Sequence, residues 1–444
     1  MRRWFVFALA IVMLALSGCN VLGPDVETQL QPPRSAGEQK EIQNALDDYI
    51  GRADKTAKRY VLKYPKSGDY RSAFILRDFD GDGEEEAIAF YRKKDDTSKT
   101  HVNLLRKKEG VWSSVRDMEG YGNDIDRVAF GDIDGDGYEE MLMGWSMYSS
   151  RDRRLEMYSL KSDTLAKRDI GVYTHLVVGN ITASGHDDIL MINVASGQNT
   201  VSASLKAVRG DELTDLGTVR MDGDIQQFGS HHIGKLADTV NGVYIDCFKA
   251  AGTMLTELIY WNGSQLINPL YEVASNFTRQ TAREAQIPSM DIDRDGEVEW
   301  PTCVRLPGYE QADVREAMWL TRWNAFRYPA FTIEEEFASV VNVADNYCLR
   351  IDETWVGRIT ASYDADTHTL ELMDVETGMA FLAIRASYTD GVNELPAASG
   401  DIREFQTVST DTEDGIQYSA WFNSREPFKM DMVKTRYMLT TLPA

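Results

Sequence analysis

The chain has 444 residues, 43% of them hydrophobic, which is enough for two or three domains with real cores. Its formal net charge of −23 speaks against a nucleic-acid partner and against a surface drawn to anionic lipid. Four cysteines are too few for a disulfide framework, and no HExxH, GxSxG, P-loop or paired CxxC motif is present to point to catalysis.

Met1-Arg2-Arg3 followed by the apolar run Trp4–Leu16 has the form of a secretory leader. A run of about 13 apolar residues falls short of the roughly 20 that a spanning helix needs. It ends in Leu16-Ser17-Gly18-Cys19, which resembles the lipobox of bacterial lipoproteins. The resemblance implies cleavage before Cys19, a diacylglyceryl group on its thiol, and a chain outside the cytoplasm held to the cell membrane by that lipid alone. Residues 20–36, with Gly23-Pro24 and Pro32-Pro33, read as a flexible tether. Ser35 and Glu38 form a capping-box pattern that opens a short helical lead-in over 37–59. Ile42, Ala45, Leu46, Tyr49 and Ile50 supply its apolar face. Tyr60–Tyr64 then reads as a strand, expected to complete the last blade of the ring described next.

Asp132-Ile133-Asp134-Gly135-Asp136-Gly137-Tyr138-Glu139-Glu140 sits between two apolar runs. Its carboxylates at positions one, three, five and nine (Asp132, Asp134, Asp136 and Glu140) can converge on one hard cation, and calcium suits such an all-oxygen cage. The pattern recurs as Asp78, Asp80, Asp82 and Glu86, and again as Asp291, Asp293, Asp295 and Glu299. An EF-hand would place a Glu at position twelve and helices on both flanks. Position twelve is Ala89, Met143 or Thr302, and the flanks alternate like strands, so the EF-hand is rejected. About three structural Ca2+ sites are expected.

Each acidic loop is followed by a second strand pair: Val102–Leu105 and Val111–Val115 around a turn at Lys107–Gly110, then Leu155–Leu160 with a turn at Ser162-Asp163, then Met318–Trp323 with a turn near Asn324. Two weaker copies fill the gap. Asn180–Asp188 keeps one carboxylate at position nine, and Ser230–Asp238 is placed by counting back from the Asn262-Gly263 hairpin signal. A four-stranded unit recurring roughly every 50 residues is the signature of a propeller blade. The fold class expected is mainly β: a β-propeller over 60–335 with about five recognisable blades, three of which bind calcium.

The DxDGDG loops between strands resemble the FG-GAP/VCBS repeats of integrin-like β-propellers. That resemblance implies an extracellular binding or adhesion module. Leu62-Lys63-Tyr64-Pro65-Lys66-Ser67-Gly68-Asp69-Tyr70 is similar to uncharacterised surface lipoproteins of Gram-positive bacteria, which implies an address and no activity.

From about Ala338 the acidic loops stop. Strand-like runs at Leu349–Ile351, Trp355–Ser362, Thr369–Met373, Ala380–Ala386, Gln406–Thr410 and Tyr418–Phe422 predict a separate β-rich or α+β domain over 338–444. Trp355 and Trp421 read as buried aromatics rather than a binding face. Cys247, Cys303 and Cys348 read as free buried thiols. His231-His232 lacks partners for a metal site, and a chance triplet in a hairpin explains Arg209-Gly210-Asp211 better than an integrin ligand. The functional expectation is a lipid-anchored, calcium-stabilised surface module that is not an enzyme and binds a protein or glycan. The alternatives are a secreted polysaccharide-acting enzyme on the same scaffold and an envelope assembly scaffold.

Overall fold

The computed structural model is mainly β, built from antiparallel sheets with two helices among the described residues. Those residues are 36–53, 60–146, 153–161, 164–195, 200–210, 212–388, 403–411, 415–424 and 426–443. The leader, Cys19, the tether, the Ser35 cap and the Ser162-Asp163 turn lie outside them. No helix among the described residues is long and apolar enough to cross a membrane. The chain divides into two units: one runs to Phe130 and takes in Tyr138–Gly171, and the other is Gly131–Gly137 with the chain from Val172 onward.

In the first unit, helix α1 (Ala36–Ala53) buries Ile42, Leu46 and Ile50 against Tyr91, Leu105 and Trp112. Apolar residues at spacings of four put one stripe on the sheet and leave the charged residues in water. The first sheet comprises β1 (Tyr60–Leu62), β2 (Phe74–Arg77), β3 (Glu86–Lys93), β4 (His101–Lys108) and β5 (Val111–Glu119). Both β1 and β2 pair along one edge of β3, followed by β4 and β5. The Tyr60 strand therefore lies in the first sheet and does not complete the last one. Tyr60 pairs with Lys93, and its ring meets Tyr91 edge-on at 5.7 Å. The next sheet orders β6 (Asp124–Gly131), β7 (Glu140–Ser146), β8 (Arg153–Lys161) and β9 (Thr164–Tyr173). Ile88, Phe90 and Leu104 share one core with Met141, Met143 and Trp145.

The second unit holds four sheets. The first comprises β10 (His175–Gly179), β11 (Asp188–Val194), β12 (Val201–Arg209) and β13 (Glu212–Met221) in sequence order. The second comprises β14 (Gln227–Ala237), β15 (Val240–Phe248), β16 (Met254–Trp261) and β17 (Leu266–Ile267), also in order. The loop expected at Ser230–Asp238 does not form: residues 230–237 are strand, and Asp238-Thr239 alone makes the turn. That stretch lacks a glycine at position six, and Ile233 and Leu236 continue the strand instead.

The third sheet of this unit comprises β18 (Trp300–Arg305), β19 (Trp319–Arg327), β20 (Thr332–Asn342) and β21 (Tyr347–Ile351). Asn324 makes no turn. A register shift between Trp323 and Asn324 absorbs it, its amide donates to Trp300 O at 3.2 Å and Arg322 O at 2.8 Å, and the chain turns after Arg327. The fourth sheet contains β22 (Ile359–Asp364), β23 (Thr369–Asp374), β24 (Ala380–Tyr388), β25 (Gln406–Asp411) and β26 (Ile416–Phe422), with β26 between β24 and β25. Helix α2 (Met432–Met438), capped by Asp431, leads to β27 (Leu439–Thr441), which adds to β21. The C-terminal strand thus extends the edge of the last acidic-loop sheet.

The boundary expected between 335 and 338 falls inside β20, and Val340 and Leu349 share a core with Leu372, Leu382 and Tyr418. The expected strand at Trp355 is a single 3-10 turn, Glu353–Trp355, whose indole is buried against Phe381 and Phe428. Cys247 and Cys348 are buried and Cys303 is half-buried, all as free thiols.

Candidate cation-binding loops

Four loops share one backbone, set by where positive φ is tolerated: those at 78, 132 and 180 join two strands, whereas the one at 291 runs from the isolated bridge at Met290 into β18. At position six stand Gly83, Gly137, Gly185 and Gly296, with φ of 89°, 91°, 94° and 91°. At position four, Gly81, Gly135, Ala183 and Arg294 have φ of 69°, 75°, 54° and 63°. Glycine takes this region without a Cβ clash, which makes it the default at such a turn. Gly81 has a second reason: a Cβ there would lie 1.8 Å from Tyr138 Cε1. In the second unit, His186 sits against Gly135 in the same way. Tyr138 and His186 both occupy position seven of their loops.

The position-one side chain closes each turn. Asp78 accepts from Gly81 N at 2.7 Å and Gly83 N at 3.0 Å, and Asp132 accepts from Gly135 N at 2.8 Å and Gly137 N at 3.0 Å. Asp291 accepts from Asp295 N at 3.0 Å and Gly296 N at 2.9 Å. Asn180 accepts from Gly185 N at 3.3 Å, so the degenerate loop keeps the turn while losing the charge. The position-nine carboxylate is buried and holds the start of the loop. Phe79 N donates to Glu86 at 3.0 Å, Thr182 N to Asp188 at 2.7 Å, and Ile292 N to Glu299 at 3.1 Å. Glu140 is likewise buried, at the first position of β7.

Three triplets of carboxylates converge, each with ligand oxygens within 4.8 Å of one another: Asp78, Asp80 and Glu86; Asp132, Asp134 and Asp136; Asp291, Asp293 and Asp295. Asp82, Glu140 and Glu299 fall outside these triplets. Asp82 turns instead to Glu84 N at 2.8 Å. Burial raises Glu86, while burial and then the charges of Asp293, Asp295 and Asp291 push Glu299 up to about 8. Crowded carboxylates of this kind shed their repulsion by binding a cation. A donor set made only of oxygens on a flexible loop fits calcium or magnesium rather than a softer metal.

Sequence reasoning missed a second polar centre because its members lie far apart in the chain. Glu257, fully buried, accepts from Asp222 N and from Asn268 Nδ2 at 2.7 Å, and from the Thr278 hydroxyl at 3.1 Å. Lys249 pairs with Asp222 at 2.6 Å. Burial pushes the Glu257 carboxyl from its ordinary 4.5 to about 7, against the pull of those donors. A carboxyl raised in the folded state stabilises the fold fully below its unfolded value and loses that contribution as pH rises through the folded one. Glu257→Gln should therefore flatten the decline of melting temperature between about pH 5 and pH 7. A variant profile parallel to the wild type would assign the decline to other groups.

No family model matches the chain, and no curated protein does. Among solved structures it is similar to an exotype rhamnogalacturonan lyase, YesX, at 12% identity and a TM-score of 0.28, over 73% of this chain and 63% of that one. It is similar to a rhamnogalacturonan lyase of Bacillus licheniformis at 12% identity and a TM-score of 0.27, covering 73% and 74% of the two chains. It is also similar to an exo-beta-1,3-galactanase of Phanerochaete chrysosporium at 8% identity and a TM-score of 0.25, covering 74% and 79%. The chain thus spans less than two thirds of the first of these proteins. At such scores these likenesses assign no activity to it.

Proposed function

We propose that the protein is an extracytoplasmic, lipid-anchored binding module whose acidic-loop sheets are the blades of a propeller stabilised by calcium. The observation that carries this reading is the loop itself: one backbone, used at 78 and 132 between strands and at 291 between an isolated bridge and a strand, presenting three convergent carboxylates each time. The cations hold strand ends and leave the chemistry of ligand recognition to other surfaces. Cys19 carries the lipid, and the partner is a protein or a glycan.

A polysaccharide-acting enzyme is the second reading, and a described cleft of about 360 Å³ bears on it. Gln226, Gln227 and Gln286 line it with Phe248 and Lys249. Three amides and an aromatic edge suit a hydroxyl-rich ligand, and no carboxylate pair for glycoside hydrolysis stands among the described residues that line it. The deciding experiment incubates the full chain in calcium with pectic and galactan polysaccharides, following both retention on the polymer and release of reducing ends or unsaturated products. Retention without product is the expected result, and catalytic release of product would replace the binding reading with the enzymatic one.

A further inference from the structure

The cleft of about 360 Å³ in the second unit is assembled from three separate stretches of chain. Gln226 and Gln227 stand where β14 begins, Phe248 and Lys249 where β15 ends, and Gln286 in the irregular stretch before the loop at 291. Backbone bonds lock the three together. Gln226 N donates to Phe248 O at 2.9 Å, Gln227 pairs with Phe248 across the ladder, and Met254 and Arg283 exchange bonds of 2.9 and 2.8 Å. The buried Asp246–Arg283 pair fixes the chain three residues before Gln286, and the fully buried Asp222 holds Lys249 Nζ at 2.6 Å. Gln286 Nε2 lies 3.5 Å from where a Cβ on Gly252 would stand, so its amide reaches across to the connection between β15 and β16.

The three glutamine side chains are exposed, and none of them makes a hydrogen bond among the described residues. Each amide therefore keeps two donors and a carbonyl acceptor, which matches sugar hydroxyls that both donate and accept. Phe248 is the one aromatic residue lining the cleft, and its ring offers an apolar surface to the C–H face of a pyranose. Lys249 is the one charged residue lining it, and Asp222 already neutralises that charge while the Nζ lies 4.7 Å from the centroid of the Phe277 ring. A cationic ligand finds no carboxylate among the lining residues. An anionic one approaches against the field of a chain with net charge −23. An uncharged one meets neither obstacle.

We infer that this cleft is the ligand site of the binding module and that it takes a short stretch of neutral saccharide, a chain end or a branch. This rests on the binding reading above and narrows its partner from a protein or a glycan to an uncharged glycan. Ligand pockets run from about 300 to 1,000 Å³, so a cleft of this size holds a few sugar rings and not a long segment of polymer. The buried ion pairs behind its wall keep the amides in place before the ligand arrives, which lowers the ordering cost of binding.

The test is calorimetric titration of the full chain with neutral galacto-, gluco- and manno-oligosaccharides and with oligogalacturonate. It compares the wild type with Gln226→Ala/Gln286→Ala and with Ala250→Trp, which puts an indole into the cleft from an exposed position on its lining. At least one neutral oligosaccharide should bind the wild type, and both variants should bind it weaker by about tenfold or more. The melting temperature of the glutamine variant should match the wild type, since the lost amides bond to nothing in the protein. Should Ala250→Trp fold poorly, the glutamine variant decides alone. Equal affinities of the glutamine variant and the wild type would overturn the inference and leave a glycan-binding module with its site elsewhere. A wild type that binds none of the neutral sugars would overturn it too, and leave the binding reading with a protein partner. Tighter binding of oligogalacturonate than of every neutral sugar would refute the uncharged class. Product release by the wild type, lost in both variants, would keep the cleft as the saccharide site and overturn the binding reading instead.

Discussion

Arg283→Met should cost about 3–5 kcal/mol of stability, the range for breaking a buried ion pair by removing one partner. Arg283 and Asp246 have fully buried side chains, joined at 2.9 Å. The guanidinium also donates to Ile287 O at 2.8 Å, and to Thr256 Oγ1 and Thr281 O at 3.0 Å. Asp246 in turn accepts from Ser289 N at 2.8 Å, Thr256 Oγ1 at 2.6 Å and Ser230 Oγ at 3.0 Å. This network ties residues 268–290, which form only isolated bridges, to the β15–β16 ladder just before the loop at Asp291. Removing the arginine leaves a buried carboxylate without its counter-charge and three further acceptors short of a donor. The Asp246→Asn/Arg283→Met double variant should lose less than the sum of the two single changes, since their shared term is removed once. Urea midpoints measure all three, and a loss under about 1 kcal/mol for Arg283→Met would show that water solvates the site.

What the sequence made legible was local. The spacing of Asp78, Asp132 and Asp291 with their glycines places a tight acidic turn, because side chain and backbone within one loop satisfy each other. The apolar stripe of α1 was readable for the same reason, through a single period. Failures came where the answer depended on distant chain. Tyr60 was strand-like, but nothing near it says which sheet edge it joins. The boundary near Ala338 failed because the end of the acidic loops marks no break in the hydrophobic core: Val340 on β20 and Leu372 on β23 pack together. Counting by interval misplaced the Ser230 loop, since an average period cannot see that β14 and β15 are joined by two residues. The Arg106 guanidinium, which meets the buried Glu86 carboxylate at 3.0 Å, stays hidden from the sequence for a related reason. The irregular connection from β3 to β4 leaves their register open, so only the folded ladder brings Arg106 opposite Glu86.

Moving the full chain from chelator into ~10 mM calcium should stabilise it by about 2.7 kcal/mol for each filled loop, if the dissociation constant is about 10⁻⁴ M as in many extracellular modules. Two variants in the loop at 291 separate the metal from the turn. Asp291 accepts two backbone N–H groups, so Asp291→Ala should destabilise the protein in chelator as well as in calcium. Asp293 contributes to the same triplet yet makes no hydrogen bond among the described residues. Its removal in chelator relieves repulsion and should leave the melting temperature unchanged or slightly raised. In calcium the same variant should lose most of one loop's share, because a ligand oxygen is gone and the remaining pair binds too weakly to saturate. The contrast is therefore a crossover: Asp293→Ala matches the wild type without the ion and falls below it with the ion, whereas Asp291→Ala lies below it throughout. Equal behaviour of Asp293→Ala and wild type in both media would mean that the convergent carboxylates at 291 hold no cation, and the stabilising role assigned to calcium would pass to the backbone turn alone.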